Sequence, residues 1–88
     1  MARIYVVSEY ENESCNIKRI RGAYTDIDRA IGLAKVIMQE SLTDNYFQNA
    51  DGKNNYINSI EQDAYKWVKV GHTYADQLMT FQITVFDE

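Results

Sequence analysis

Residues 25–42 read TDIDRAIGLAKVIMQESL, and this stretch decides the fold. Its apolar residues recur every three or four positions, the spacing that places side chains on one face of an α-helix. Thr25 can cap the first amides, and Asp28 supplies an acid three residues later, as in a capping box. We therefore predict a helix over residues 26–42. Its apolar face comprises Ile27, Ala30, Ile31, Ala34, Ile37, Met38 and Leu42.

Four segments outside this helix have the composition of β-strands. Residues 3–10 and 17–24 are rich in β-branched and aromatic types, and the polar residues 11–16 between them predict a hairpin loop. Residues 64–70 have a similar composition. Residues 78–86 alternate apolar with polar side chains, which predicts a strand with one buried face.

The order of these elements predicts an α+β fold of the form β-β-α-β-β. The economical packing is a four-stranded antiparallel sheet with one helix packed on one face. The 88 residues fit one small domain, residues 1–88. Residues 43–62 contain the turn signal Asp51-Gly52 and keep three alternatives open: an excursion hairpin, a helix extension followed by a turn, or an ordered loop.

Composition and charge restrict the class of protein. The formal net charge of −4 disfavours binding to long duplex nucleic acid, because phosphate neutralisation supplies most of that affinity. A single cysteine permits no intramolecular disulfide, and the first residues do not resemble a signal peptide. We expect no membrane partner and a cytoplasmic location, which is the host-cell cytoplasm if a phage encodes the chain.

Residues that usually carry catalysis are scarce. His72 is the only histidine and Cys15 the only cysteine, and they lie in different predicted loops. The sequence has no spaced ligand set for zinc and no glycine-rich loop for phosphates. It therefore predicts a protein that is not an enzyme and holds no metal and no cofactor.

Strand alternation predicts a basic and aromatic surface on the open face of the sheet. If Ile4, Val6 and Ile20 pack under the helix, the arginines of the second strand point away from it. Aromatic residues of the 64–70 strand would lie beside them. Such a surface can stack a ring and pair with an anionic group, although a solvated face or a dimer interface is the alternative. The predicted ligand-binding residues are Arg19, Arg21, Tyr65 and Trp67.

A second stripe on the predicted helix suggests a protein interface. Its members recur at helical spacing outside the main apolar face, and plain solvent exposure is the alternative. Tyrosines in predicted loops also suit interface anchors. The predicted protein-interface residues are Arg29, Leu33, Val36, Glu40, Tyr46 and Tyr74.

Residues 4–8, IYVVS, and residues 20–26, IRGAYTD, followed by Ala30, carry a resemblance. They resemble a recurring class of short uncharacterised proteins encoded by phages and other mobile elements. The class shares a strand–strand–helix order over about the first 40 residues, but no common activity and no transferable site. The resemblance implies an inhibitor of a host defence system, such as a CRISPR effector, a restriction enzyme or a nucleotide-signalling defence.

Three functions therefore stay open. In the first, the chain is a non-enzymatic, anti-CRISPR-like inhibitor that docks on a host protein or protein complex. In the second, it sequesters a small anionic or nucleotide ligand on the basic and aromatic sheet face. In the third, it is a structural or regulatory homo-oligomer, such as a homodimer, with no ligand.

Overall fold

The computed structural model describes residues 3–10, 17–42, 47 and 50–87 of the chain. Its strands form a four-stranded antiparallel sheet in the order β2-β1-β4-β3. The predicted α+β class and four-stranded antiparallel sheet are therefore confirmed. The elements are β1 (Arg3–Tyr10), β2 (Ile17–Tyr24), α1 (Ile27–Ser41), α2 (Ala50–Lys69), β3 (Tyr74–Ala75) and β4 (Phe81–Asp87).

Helix α1 confirms the predicted helix, with one correction at its start. Asp26, rather than Thr25, is the capping residue, and its carboxylate accepts the Asp28 amide at 2.9 Å. An aspartate at this position also suits the positive end of the helix dipole. Most of the predicted apolar face is buried, namely Ala30, Ile31, Ala34, Ile37 and Met38.

Helix α2 replaces the predicted strand over residues 64–70, so the elements within the described residues follow the order β-β-α-α-β-β. Its buried residues recur at intervals of three and four, and only a helix places all of them on one side. The Asp51-Gly52 pair lies in its first turn instead of a turn between elements. The third strand is the short β3. The buried residues of α2 are Ile57, Ile60, Ala64 and Val68.

Gly71 ends helix α2. The amide of Gly71 donates to the carbonyl of Val68 at 3.0 Å, and the amide of His72 donates to that of Trp67 at 3.0 Å. These two bonds form a Schellman motif, which needs a left-handed residue just beyond the helix. Gly71 has a φ of 92° and meets this need without the clash that a side chain brings.

The face of strand β1 that packs under the helices is the opposite of the one predicted to be buried. Tyr5 and Val7 are buried toward the helices, whereas Ile4 and Val6 are half-buried on the other face. Ile20, also expected inside, is 67% exposed. Because β1 is apolar on both faces, alternation within it cannot select the buried one. Strand β4 selects it, since the alternating apolar residues Ile83 and Val85 pair with Val7 and Tyr5.

Both helices and the sheet share one core. Helix α1 contacts β1, β2 and β4, and helix α2 packs against α1 and β3. Lys35 of α1 also pairs with Glu61 of α2 at 2.8 Å. Both helices therefore cover the same face of the sheet. The buried cluster contains Tyr5, Val7, Ala30, Ile31, Ala34, Ile37, Met38, Ile57, Ile60, Ala64, Val68, Phe81 and Ile83.

Asp76 organises the turn between β3 and β4 and is 1% exposed. Its carboxylate accepts hydrogen bonds from the Thr80 amide at 2.7 Å, the Thr80 hydroxyl at 2.8 Å and the Phe81 amide at 3.1 Å. It also accepts the hydroxyl of Tyr56 in α2 at 2.9 Å. Tyr56 Oη in turn accepts the Leu78 amide at 3.1 Å. Asp76 thus ties helix α2 to the start of β4.

Because of the same turn, the last strand begins later in the sequence than predicted. Met79 has a φ of 56°, a left-handed conformation that a strand does not contain. The predicted strand over residues 78–86 therefore begins at Phe81 and ends at Asp87. Phe81 and Ile83 are buried as the alternation predicted.

We expect Asp76→Asn to lower the free energy of unfolding by at least about 2 kcal/mol. The variant places an amide group among hydrogen-bond donors, which leaves buried groups without partners. Urea denaturation checks this value. Asp63→Asn, at an exposed position of α2, is the matched control and should stay within about 0.5 kcal/mol of the unmodified protein. A similar small effect for Asp76→Asn would contradict this account of the turn.

Candidate functional site

The two arginines predicted to hold an anion are paired with carboxylates. On β2, Arg19 Nε lies 2.9 Å from Glu9 Oε1, and Arg21 Nη1 lies 3.4 Å from the same oxygen. Arg21 Nη1 also lies 3.4 Å from Glu40 Oε2 of helix α1. The arginines therefore come together, but around an acid of the chain itself.

Glu9 is the centre of this ion-pair cluster, and its residue is 8% exposed. Burial by itself raises the pKa of the Glu9 carboxyl. The hydrogen bonds and positive charges of Arg19 and Arg21 outweigh burial, so this pKa lies below its ordinary value of 4.5. Glu9 is consequently an anion at neutral pH and a partner that an external anion would have to displace.

Tyr65 and Trp67, the two aromatic residues predicted to bind a ligand, lie on helix α2 instead of a strand. The Tyr65 hydroxyl donates to Asp28 Oδ1 at 2.7 Å, and this bond is the main reason that the pKa of Tyr65 rises to about 12. Trp67 is 44% exposed, and its ring centroid lies 5.8 Å from that of His72. Each ring therefore has a neighbour of its own.

The four predicted ligand residues do not form one clamp. Arg21 contacts Glu40 near the end of α1, whereas Tyr65 contacts Asp28 near its start. Twelve residues separate these contact points, which is about 18 Å along a helix. The prediction that these four residues share one surface assumed a strand over residues 64–70, where α2 forms instead.

A cleft of about 400 Å³ lies at the start of α1, away from the paired arginines. Its lining includes Asp26, whose carboxylate already caps the helix. None of the four predicted ligand residues lines it. The lining residues are Ala23, Tyr24, Thr25, Asp26 and Arg29.

The predicted interface stripe on α1 is only partly exposed. Arg29 is exposed and Val36 is 42% exposed, as expected for a surface stripe. Leu33 is half-buried and packs against the core. Glu40 is exposed but pairs with Arg21. The stripe therefore offers one free aliphatic side chain, Val36, instead of two.

The two predicted tyrosine anchors differ in position. Tyr46 lies outside the residues that the structure describes. Tyr74 belongs to β3 and is half-buried, with its ring centroid 6.1 Å from that of Phe81. Burial is the main cause that raises the pKa of Tyr74 to about 12. Tyr74 is therefore a packing residue, not an exposed loop anchor.

The sheet face that the helices leave uncovered is called the open face here. Residues directly opposite one another on neighbouring strands share a face, so the strand register defines its members. Among the side chains that the structure describes, none on this face is charged. The open face consists of Ile4, Val6, Ser8, Tyr10, Ile17, Ile20, Ala23, Ala75, Gln82, Thr84 and Phe86, of which Ser8 and Tyr10 are buried among their neighbours.

The charged side chains of these strands that the structure describes occupy the other face or its rim. Arg3 lies opposite Asp87 in the register and pairs with it at 2.6 Å. Glu9 lies opposite Arg19 and pairs with it as described above. The described strand charges therefore lie off the open face and pair with one another.

Large apolar side chains protrude from the open face. Ile20 is 67% exposed, Phe86 is 53% exposed and Ile17 is 50% exposed. They are carried by β2, an edge strand, and by the end of β4. The face therefore has an apolar surface of the kind that marks protein contacts.

Polar groups on the open face bond to one another. The Tyr10 hydroxyl donates to Gln82 Oε1. Gln82 Nε2 donates to Thr84 Oγ1 at 2.9 Å. Because these bonds lie within the face, a partner can cover the face without leaving these pairs unsatisfied.

Irregularities in β2 assemble the apolar surface. Ile17 and Ile20 are three residues apart and would lie on opposite faces of a regular strand. The register moves from Glu9↔Arg19 to Tyr10↔Ile17, which passes over Lys18 and brings both isoleucines to one face. Sequence alternation missed this surface because it assumed a regular strand.

Comparisons with family models, curated proteins and solved structures found no match. Within the described ranges, no cluster of three or more His, Cys, Asp or Glu residues could hold a metal ion. No helix in the described part of the chain is long and apolar enough to cross a membrane. The exposed apolar side chains of Ile17, Ile20 and Phe86 make the open face the strongest candidate site among the described residues.

Replacing Glu9 should change how stability depends on pH. Folding lowers the pKa of Glu9, so its contribution to stability is present above its ordinary value of 4.5 and is lost as pH falls through the folded value. We expect Glu9→Gln to lower the free energy of unfolding by about 1 kcal/mol at pH 7. The difference should vanish at acid pH. Urea denaturation at several pH values measures it, and a difference that grew with acidity would contradict the ion-pair account.

Proposed function

We propose that the chain is a non-enzymatic protein-binding domain that docks a partner protein on its open face. The observation that carries the proposal is a sheet face whose described side chains are uncharged and from which Ile17, Ile20 and Phe86 protrude. Interface cores in proteins are depleted of charged residues and enriched in apolar and aromatic ones. The composition of the open face matches that pattern.

The energetics of covering this face support the same function. Burying apolar surface contributes about 25 cal/mol per Å² removed from water. Ile20 alone is 67% exposed, and a partner could remove that apolar surface from water. The cost of desolvating the face is small. Its described side chains carry no charge, and the hydroxyl of Tyr10 and the amide of Gln82 already have hydrogen-bond partners.

The resemblance to short phage proteins favours a host-defence protein as the partner. On this proposal the chain works in the host-cell cytoplasm and inhibits its target by occupying a surface. Sequestration of an anionic ligand has weaker support. Arg19 and Arg21 already bind Glu9, and Tyr65 and Trp67 lie on a different element.

Ile20→Glu should abolish capture of the partner. We expect the purified protein, carrying a cross-linker, to capture a partner protein from host lysate in stoichiometric amount. The yield captured by Ile20→Glu should be at least about tenfold lower, because a carboxylate would be buried against apolar surface. Quantitative mass spectrometry of the captured proteins measures the yield.

Val36→Glu is the matched control, since Val36 is an exposed aliphatic residue on helix α1. It introduces the same charge on the opposite layer and should leave the yield unchanged. Equal losses in both variants would argue for a charge effect without a specific face. A lower yield from Val36→Glu alone would indicate that the partner binds helix α1 instead of the open face. Circular dichroism of each variant verifies that it is folded.

A further inference from the structure

We infer that the protein covering the open face of the purified chain is a second copy of itself, stacked sheet against sheet across a two-fold axis. This inference rests on the proposed function, because it names a partner for the same face. A host protein that used the face would then compete with the second copy.

Charge favours self-association through this face over other parts of the surface. Each copy carries a formal net charge of −4, so two copies repel wherever their charged surfaces meet. In a two-fold interface the same patch is present on both subunits, and a charge near the axis faces its own copy. The open face escapes this penalty because its described side chains are uncharged.

The raised and low side chains of the open face are also complementary to those of a second copy. Ala23, Val6 and Thr84 lie opposite one another across three strands and form a row of small side chains. Ile20 and Phe86 stand on either side of this row and are exposed. A large side chain of one copy can therefore seat in the low row of the other, as in the interdigitated packing of two sheets.

The size of the face predicts a weak, reversible dimer. Three strands about 4.8 Å apart and roughly 25 Å long present a flat footprint of about 360 Å². Two such footprints cover about 700 Å², which is below the size of a stable specific interface. Such a dimer dissociates on dilution, which lets a different protein take the face.

Light scattering coupled to size-exclusion chromatography tests the inference on the full chain over about 5 to 500 µM. The unmodified protein should move toward about 20 kDa, twice the 10.2 kDa of one chain, as concentration rises. Ile20→Glu and Phe86→Glu should each raise the dissociation constant at least about tenfold. Val36→Glu should leave it within about twofold of the unmodified protein.

Phe86→Glu separates sheet stacking from pairing of two β2 edges, because Phe86 lies on β4. Weakening in Ile20→Glu but not in Phe86→Glu overturns the stacked arrangement. A mass of one chain at every concentration, or a dimer that only Val36→Glu breaks, overturns self-association through the face. If Ile20→Glu does not fold, Ile17→Gln, at a 50% exposed position of the same face, replaces it.

The inference and the proposed function fail separately. A chain that stays monomeric yet captures a host protein in an Ile20-dependent manner overturns the inference and supports the function. A chain that dimerises through the open face while its capture of host protein does not depend on Ile20 supports the inference and overturns heterologous docking there.

Discussion

Both helices pack on the same face of the sheet, and this one-sided burial determines the rest of the structure. The buried side holds Tyr5 and Val7 of β1 with Phe81 and Ile83 of β4 beneath the helices. The other side is left to solvent or to a partner. Asp76 reinforces the arrangement, because its carboxylate joins Tyr56 of α2 to the start of β4. The open face is thus a consequence of how the core forms.

Sequence patterns predicted the elements whose periodicity is unambiguous. Helix α1 has a long apolar stripe, and the pattern located it apart from a cap placed one residue early. Helix α2 was missed because residues 64–70, taken alone, are rich in strand-forming types, and these local preferences yield to packing. Two signals pointed to it: the helical spacing that starts at Ile57, and Gly71 just past the last buried residue, Val68.

The candidate site was harder to predict than the fold. Strand β1 is apolar on both faces, so only its pairing with β4 reveals which one is buried. The irregular register of β2 brings Ile17 and Ile20 together, and alternation alone places them apart. The four residues predicted to bind an anion do not share one surface, because Tyr65 and Trp67 lie on helix α2. Arg19 and Arg21 found a partner in Glu9, whose burial no linear pattern of the sequence indicated.

The central claim is that the open face, and not the helical layer, meets another protein molecule. Isoleucine and valine methyl resonances test it most directly, because Ile17 and Ile20 lie on that face whereas Ile31 and Ile37 lie in the core. In a dilution series, the account predicts concentration-dependent shifts at Ile17 and Ile20 with unchanged signals from Ile31 and Ile37. Signals from Ile17 and Ile20 that stay constant while Val36 shifts would contradict it.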